Sequence, residues 1–176
     1  MFYEVEIPEK RKGSKDWASA LVVLNPSESR RLLAKATVAL PEIRRALESG
    51  TIIIGRGVTN AYVTEELLGV EIEPKAGQTV GMVCQGVTTG NSSPPPCPHH
   101  VIKAGKVVEG ADSKVEISTF GPDDVFFIGG NAFDTDGNAG ILTSSLTSGS
   151  IGMSWPVGSR WGDLLVLQIV LVYLFD

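Results

Sequence analysis

The residues whose types and spacing best suit ligand binding lie in the segment GTIIIGRGVTNAYVTEELLG, residues 50–69. An apolar β-branched strand leads into the turn Gly55-Arg56-Gly57, after which Thr59 and Asn60 open a helix. Glycines let the backbone approach a ligand closely, and the free amide groups at a helix start attract a phosphate or carboxylate. We therefore predict that this turn binds an anion, with Arg56 as a charge clamp. The alternative is a turn whose glycines only reverse and cap the chain.

A second candidate segment spans residues 124–152, where a short apolar strand ends at two glycines. Ligands of open α/β sheets bind at the carboxyl ends of strands, and the loop that follows is rich in amides and hydroxyls. Asp134 is the candidate catalytic acid or base, or a partner for ribose-type hydroxyls, whereas Asp136 is interpreted as a turn residue. The alternative is a turn-rich connection without a ligand. The candidate ligand-binding residues here are Gly129, Gly130, Asn131, Asn138 and Ser144.

The order of these two segments resembles that in the superfamily of ribose-5-phosphate isomerase, glucosamine-6-phosphate deaminase and CoA transferases. The resemblance covers about residues 27–69 and 123–152. In the isomerases the first turn binds sugar phosphate, a role that the resemblance transfers to Gly55, Gly57, Thr59 and Asn60. The resemblance also implies a Rossmann-like α/β sheet.

The chain departs from this superfamily at the positions that carry catalysis. The paired aspartates of the isomerases fall on Ile128 and Asn131, and their later glutamate falls near Ser145. An alkyl chain or an amide cannot move the proton that isomerisation requires. A CoA transferase needs a nucleophilic glutamate, and residues 124–152 contain none. We therefore expect neither activity by those mechanisms.

Composition favours one soluble domain. The 176 residues are 43% hydrophobic and 20% charged, which predicts a single globular domain over residues 1–176, and the resemblance implies that this domain is α/β. A net charge of −5 argues against a nucleic-acid partner. The N-terminal segment lacks the apolar core of a signal peptide, and two cysteines suit a reducing compartment, so we expect a cytoplasmic protein.

Local signals predict the elements that must position the two segments. Asn25-Pro26-Ser27-Glu28 is typical of a helix start, and Pro41 begins a second helix through Leu47. A strand is predicted over Thr79–Val87 and a hairpin over Val101–Val108. The expected fold is α/β and Rossmann-like, with a mostly parallel sheet flanked by helices and a β-rich insert around residues 79–118.

The apolar C-terminal run LLVLQIVLVYLF is shorter than the roughly 20 residues of a membrane helix, so no membrane partner is expected. Its composition predicts a buried, central parallel strand. Since no helix follows to cover that strand, we expect a homo-oligomer or a shortened version of a longer fold.

The loop TTGNSSPPPCPHH raises the question of a metal site. Its Cys97, His99 and His100, with Cys84 upstream, have ligand chemistry, but their spacing fits no standard zinc template. A flexible loop without metal is the preferred interpretation. No cofactor is assigned, because the third glycine of a dinucleotide-binding motif falls at Asn60 and no Walker lysine follows.

Three functional hypotheses remain open at this point. The favoured one is a protein that binds a small phosphorylated or carboxylated metabolite at the strand-end loops. The second is a divergent isomerase- or transferase-like enzyme that uses Asp134 as acid or base. The third is a non-catalytic oligomer subunit with a vestigial site.

Overall fold

The computed structural model contains both helices and strands and describes residues 22–90, 99–134, 136, 138–143, 145–161 and 165–168. The helices are α1 (Pro26–Val38), α2 (Pro41–Ser49), α3 (Val58–Leu68), α4 (Ser113–Ile117) and α5 (Gly149–Trp161). The strands are β1 (Thr51–Ile54), β2 (Gly81–Cys84), β3 (Val87–Gly90), β4 (His100–Lys103), β5 (Lys106–Val107), β6 (Val125–Gly129), β7 (Ala132–Phe133), β8 (Ala139–Gly140) and β9 (Leu165–Gln168). The fold is therefore mixed α/β, as predicted.

The main sheet has the strand order β5-β4-β1-β6-β9. Strand β6 runs parallel to both β1 and β9, whereas β4 runs antiparallel to β1 and to β5. The described strands thus form a mixed sheet, and the expectation of a mostly parallel sheet is wrong. The physical reason is the hairpin β4–β5, which adds two antiparallel pairings to one side of β1.

Helices cover both faces of this sheet, because its central strands are apolar on both sides. Ile52 and Ile54 of β1 pack in one core with α1, α2 and α3. Ile53 packs in a second core, which α4 and α5 cover with Ile117 and Ile151. The prediction of a sheet flanked by helices is confirmed.

Both helix starts predicted near the N-terminus are confirmed. The Asn25 side chain accepts hydrogen bonds from the amides of Ser27 and Glu28, and the Glu28 carboxylate accepts one from the Asn25 amide. This capping box stabilises the start of α1. Pro41 begins α2, which ends two residues beyond the predicted Leu47.

The region 79–118 contains strands β2 to β5 and helix α4. The strand predicted over Thr79–Val87 is confirmed in part: β2 lies within this range, but the chain turns after it, and β2 and β3 form a separate two-stranded ribbon. Its turn is made by Gln85 and Gly86, which both adopt positive φ angles. The hairpin predicted around Ala104-Gly105 is confirmed, with both residues at positive φ, as a tight hairpin turn requires.

The C-terminal apolar run forms strand β9 where it is described, and this strand pairs with β6 in the predicted parallel orientation. It lies at one edge of the described sheet rather than at its centre. Residues 169–176 lie outside the described part. No helix in the described part of the chain is long and apolar enough to cross a membrane.

Candidate functional site

A cavity of about 440 Å³ lies where β1 ends and β4 begins. The antiparallel register pairs Ile54 with His100, so the residues after β1 lie beside those before β4. The first turns of α4 and α5 complete the cavity wall. The lining residues are Arg56, His99, Ala111, Asp112, Ser113, Lys114, Gly149 and Ser150.

His99 lies at the centre of the polar contacts in this cavity. Its Nδ1 atom is 2.8 Å from Ser113 Oγ, and its Nε2 atom is 3.4 Å from Ser150 Oγ. The edge-to-face contact with Phe126, at a centroid distance of 6.0 Å, holds the plane of the imidazole ring. The two serines therefore flank opposite nitrogens of one histidine.

Burial makes the charged form of His99 unfavourable and lowers its pKa to about 4. The positive charges of Arg56 and His100 act in the same direction, while Asp112 opposes them. The imidazole is therefore neutral at pH 7. In that state one ring nitrogen donates a hydrogen bond and the other accepts one.

Two cations lie on the cavity wall. Arg56 lies two residues after the end of β1, and Lys114 belongs to the first turn of α4. The carboxylate of Asp112 caps α4 by accepting a hydrogen bond of 2.9 Å from the Lys114 amide. The side chains of Arg56, Lys114 and Asp112 sum to one net positive charge at neutral pH, which favours an anion.

The start of α5 brings Ser150 into the cavity through a sharp change of chain direction. Ser148 and Gly149 have φ angles of 58° and 55°, in the left-handed region. A Cβ atom at Gly152 would lie 1.9 Å from the Thr147 carbonyl oxygen, so only glycine fits there without a shift. The first bond of the helical pattern, from the Gly152 amide to the Ser148 carbonyl, is 3.2 Å long. The amides of residues 149–151 precede it.

In the predicted anion-binding turn, contacts within the protein explain why each of the two positions is a glycine. The Gly55 amide donates to the Phe127 carbonyl at 2.8 Å, and a Cβ atom at Gly55 would lie 2.7 Å from that oxygen. The Gly57 amide donates to the Gln78 carbonyl at 2.8 Å, and its φ of 148° favours glycine. Both amides therefore already have protein partners, and the alternative of a ligand-free turn is supported for them.

Thr59 and Asn60 are buried within the first turn of α3, whose N-cap is Gly57. The Asn60 side-chain amide donates a buried hydrogen bond of 2.9 Å to the Gly55 carbonyl, which stabilises the turn. Its Oδ1 atom is buried without a hydrogen-bond partner among the described residues. Of the first predicted set, the cavity lining includes only Arg56.

The side chain of Asp134 caps the turn of the second segment, and Asp136 lies within that turn, as predicted for Asp136. The Asp134 carboxylate accepts bonds from the amides of Asp136 and Asn138 and from the Asn138 side chain. It is exposed, and these contacts form an Asx-turn between β7 and β8. Its role as acid or base stays a prediction.

Of the remaining predicted residues of that segment, those that the structure describes do not line the cavity. Gly129 and Gly130 lie at the end of β6. Asn131 is exposed, and its side-chain oxygen accepts a bond of 2.9 Å from the Leu142 amide. Asn138 bonds to the turn, and Ser144 lies outside the described residues.

The sequence considered His99 only as a metal ligand and did not single out Ser113 or Ser150. Asp112-Ser113 carries the signal of a helix cap, and Gly149-Ser150-Ile151-Gly152 carries that of a tight turn into a helix. Neither signal alone indicates a site. Among the described residues no group of three potential ligands could hold a metal, and Cys97 lies outside them.

A second cavity, of about 370 Å³, lies between α1 and α3. Here the Glu65 carboxylate accepts hydrogen bonds from the Ile72 amide at 2.8 Å and from Arg31, and pairs with Lys75 Nζ at 3.0 Å. Burial alone would raise the pKa of Glu65, but these contacts outweigh it and lower the pKa. Arg31 and Lys75 also stack on the Tyr62 ring, at 4.6 and 5.0 Å from its centroid. The charges satisfy one another, which is typical of a structural cluster.

Comparisons with protein-family models, with curated proteins and with solved structures each gave no significant match. The described residues thus define a mixed α/β protein with a polar cavity beyond the carboxyl end of β1, in the main sheet.

Proposed function

We propose that this protein binds a small anionic metabolite, phosphorylated or carboxylated, in the cavity around His99. The observation that carries the proposal is the convergence of Arg56, Lys114 and the first turn of α5 on one cavity. Positive side chains and helix-start amides both attract anions, and the hydroxyls of Ser113 and Ser150 can bond to phosphate or carboxylate oxygens. The volume falls within the range of small-molecule sites.

The position of the cavity supports the same proposal. It lies beyond the carboxyl end of β1, which runs parallel to β6, and open α/β sheets bind ligands at such ends. We also propose that the fold is Rossmann-like. We further propose that the chain is a divergent member of the superfamily of ribose-5-phosphate isomerase, glucosamine-6-phosphate deaminase and CoA transferases. A cytoplasmic location and self-association stay predictions from the sequence.

A thermal-shift titration tests the proposal, with inorganic phosphate, ribose 5-phosphate and malonate as the anions. A ligand at 100 times its dissociation constant adds about 2.7 kcal/mol to the free energy of unfolding, which raises Tm by roughly 5–10 °C. We expect at least one of these anions to stabilise the wild type. Arg56→Gln should lose most of that shift, because it removes a cation from the cavity wall.

The matched control is Arg44→Gln, which removes the same charge from an exposed position of α2. It should keep the ligand-induced shift of the wild type. If none of the three anions stabilises the wild type, or if both variants lose the shift equally, the cavity is not the anion site.

A further inference from the structure

We infer that Ser150 is a nucleophile and His99 its general base, so that the cavity hydrolyses a carboxylic ester that carries an anionic group. This inference rests on the proposed function, because Arg56 and Lys114 would bind the anionic group. It adds a reaction to that site and does not use Asp134.

The two contacts of His99 define the proton positions that the reaction needs. For Nε2 to accept the Ser150 proton, Nδ1 must carry the hydrogen of the neutral ring. That hydrogen has an acceptor, since Ser113 Oγ lies 2.8 Å from Nδ1. Ser113 is thus a positioning residue that fixes the tautomer of His99, the part that a third group plays in nucleophile–base arrangements.

The separation of 3.4 Å between Nε2 and Ser150 Oγ is longer than the usual reach of a nucleophile–base pair. Such pairs are often longer in ligand-free proteins and shorten in the substrate complex. Ser150 is half-buried at the cavity wall, so a small rotation about its Cα–Cβ bond brings the hydroxyl to the substrate.

The backbone around Ser150 supplies the second requirement, stabilisation of the oxyanion. Ser148 and Gly149 bend the chain so that Ser150 lies in the first turn of α5. The amides of that turn precede the first helical bond and carry the positive end of the helix dipole. Amides directed at a developing negative charge are a major source of rate enhancement in acyl transfer.

The charges that face His99 affect its ability to accept a proton from Ser150, and the positive ones oppose it in the ligand-free protein. Its low pKa leaves it neutral at pH 7, and Arg56, His100, Lys114 and Asp112 are the titratable or charged groups around it. An anionic substrate placed between Arg56 and the imidazole offsets the cation and raises the pKa of His99. Substrate binding therefore shifts the base towards the range in which it works well.

The reaction balances without any co-reactant other than water. Ser150 Oγ attacks the ester carbonyl carbon while its proton moves to His99 Nε2. The bond from that carbon to the leaving oxygen then breaks, and the alcohol departs with the proton. Water attacks the acyl-serine, gives a proton to Nε2 and releases the carboxylic acid, and Ser150 regains its proton from His99.

A fluorophosphonate probe, which forms a stable adduct with activated serines, tests this inference on the full chain. We expect a single adduct by intact-mass spectrometry, which peptide mapping places on Ser150. Ser150→Ala should abolish it, and His99→Gln should slow it roughly 100-fold, the typical contribution of a general base. The control is Ser159→Ala, which replaces an exposed serine of the same helix. This variant should be labelled at the wild-type rate.

The pH profile of labelling provides a second readout that does not depend on any variant folding. Labelling that requires neutral His99 should rise through the pKa of about 4 and level off about two pH units higher. A rate that keeps rising tenfold per pH unit up to pH 9 would show activation by hydroxide and overturn the role of His99.

An unlabelled wild type, or an adduct mapped elsewhere, overturns the role of Ser150. The phosphate, ribose 5-phosphate and malonate titrations on the wild type separate this failure from that of the proposed function. Stabilisation by an anion without labelling leaves a binding protein, whereas labelling without stabilisation leaves a serine nucleophile that does not select anions.

Discussion

Replacing Glu65 by glutamine tests whether the cluster between α1 and α3 holds the fold together. The side chain of Glu65 is 4% exposed and interacts with Ile72, Arg31 and Lys75. The amide of the Glu65→Gln variant keeps the shape and one acceptor, but it loses the charge that both cations face. A hydrogen bond to a charged group contributes about 1.5–3 kcal/mol, so we expect a loss of about 2–3 kcal/mol in the free energy of unfolding. Tm should fall by roughly 5–10 °C.

The neighbouring Glu66 provides the control for this variant. Its carboxylate also pairs with Arg31, at 2.8 Å, but its side chain is 23% exposed. Solvent screens this partly exposed pair more than it screens Glu65, and such pairs contribute about 1 kcal/mol, so Glu66→Gln should lower the free energy of unfolding by about that amount. Urea denaturation of both variants and the wild type at pH 7 gives the two values directly.

The pH dependence has a definite sign. The pKa of Glu65 is lowered in the folded state, so its stabilisation is present above the unfolded pKa of about 4.5 and disappears as pH falls through the folded pKa. The difference between wild type and Glu65→Gln should therefore be full at pH 7 and shrink below about pH 4.5. Equal losses for the two variants at pH 7, or a gap that widens in acid, would refute the reasoning.

Two further substitutions test the corrected interpretation of the predicted site. Gly55→Ala brings a Cβ atom within 2.7 Å of the Phe127 carbonyl oxygen. Urea denaturation should show that this variant loses about 2 kcal/mol or more of its free energy of unfolding. The control Gly121→Ala should lose far less, because the space around Gly121 is open. Asp134→Asn should leave the labelling rate of Ser150 unchanged, because the exposed Asp134 carboxylate accepts hydrogen bonds within its own turn. A tenfold slower rate would show that Asp134 contributes to the reaction.

The elements that the sequence predicted correctly are those with local causes. The start of α1 depends on contacts among four consecutive residues, Asn25 to Glu28, and the hairpin at Ala104-Gly105 on two backbone angles. Strand β1 follows from a run of β-branched residues. The turn of the ribbon β2–β3 at Gln85-Gly86 was missed, although Gly86 has the positive φ that a tight hairpin turn requires. The direction of β4 depends on a long-range pairing that no local signal carries.

Most residues of the candidate site could not be predicted, because they are distant in the sequence and meet only in the folded chain. Ser113 lies 14 residues from His99, and Ser150 lies 51 residues from it. Their meeting requires α4 and α5 to pack on the same face of the sheet, with their first turns at the edge where β4 begins. Arg56 was found because the carboxyl end of a strand is a local feature with a general meaning. The sequence pointed to the carboxyl end of β1, beyond which the cavity lies, but of the residues it singled out in that turn only Arg56 lines the cavity.

The glycines explain why the sequence pointed to the turn rather than to the cavity. A glycine that is needed for a ligand and a glycine that is needed for packing have the same appearance in a sequence, because both allow close approach to the backbone. At Gly55 the close approach is made by the Phe127 carbonyl, and at Gly152 by the Thr147 carbonyl. The first contact fixes β1 against β6, which places Arg56 at the edge of the sheet. The second fixes the start of α5, which places Ser150 opposite His99. Both glycines therefore act on the cavity through the side chains that they position.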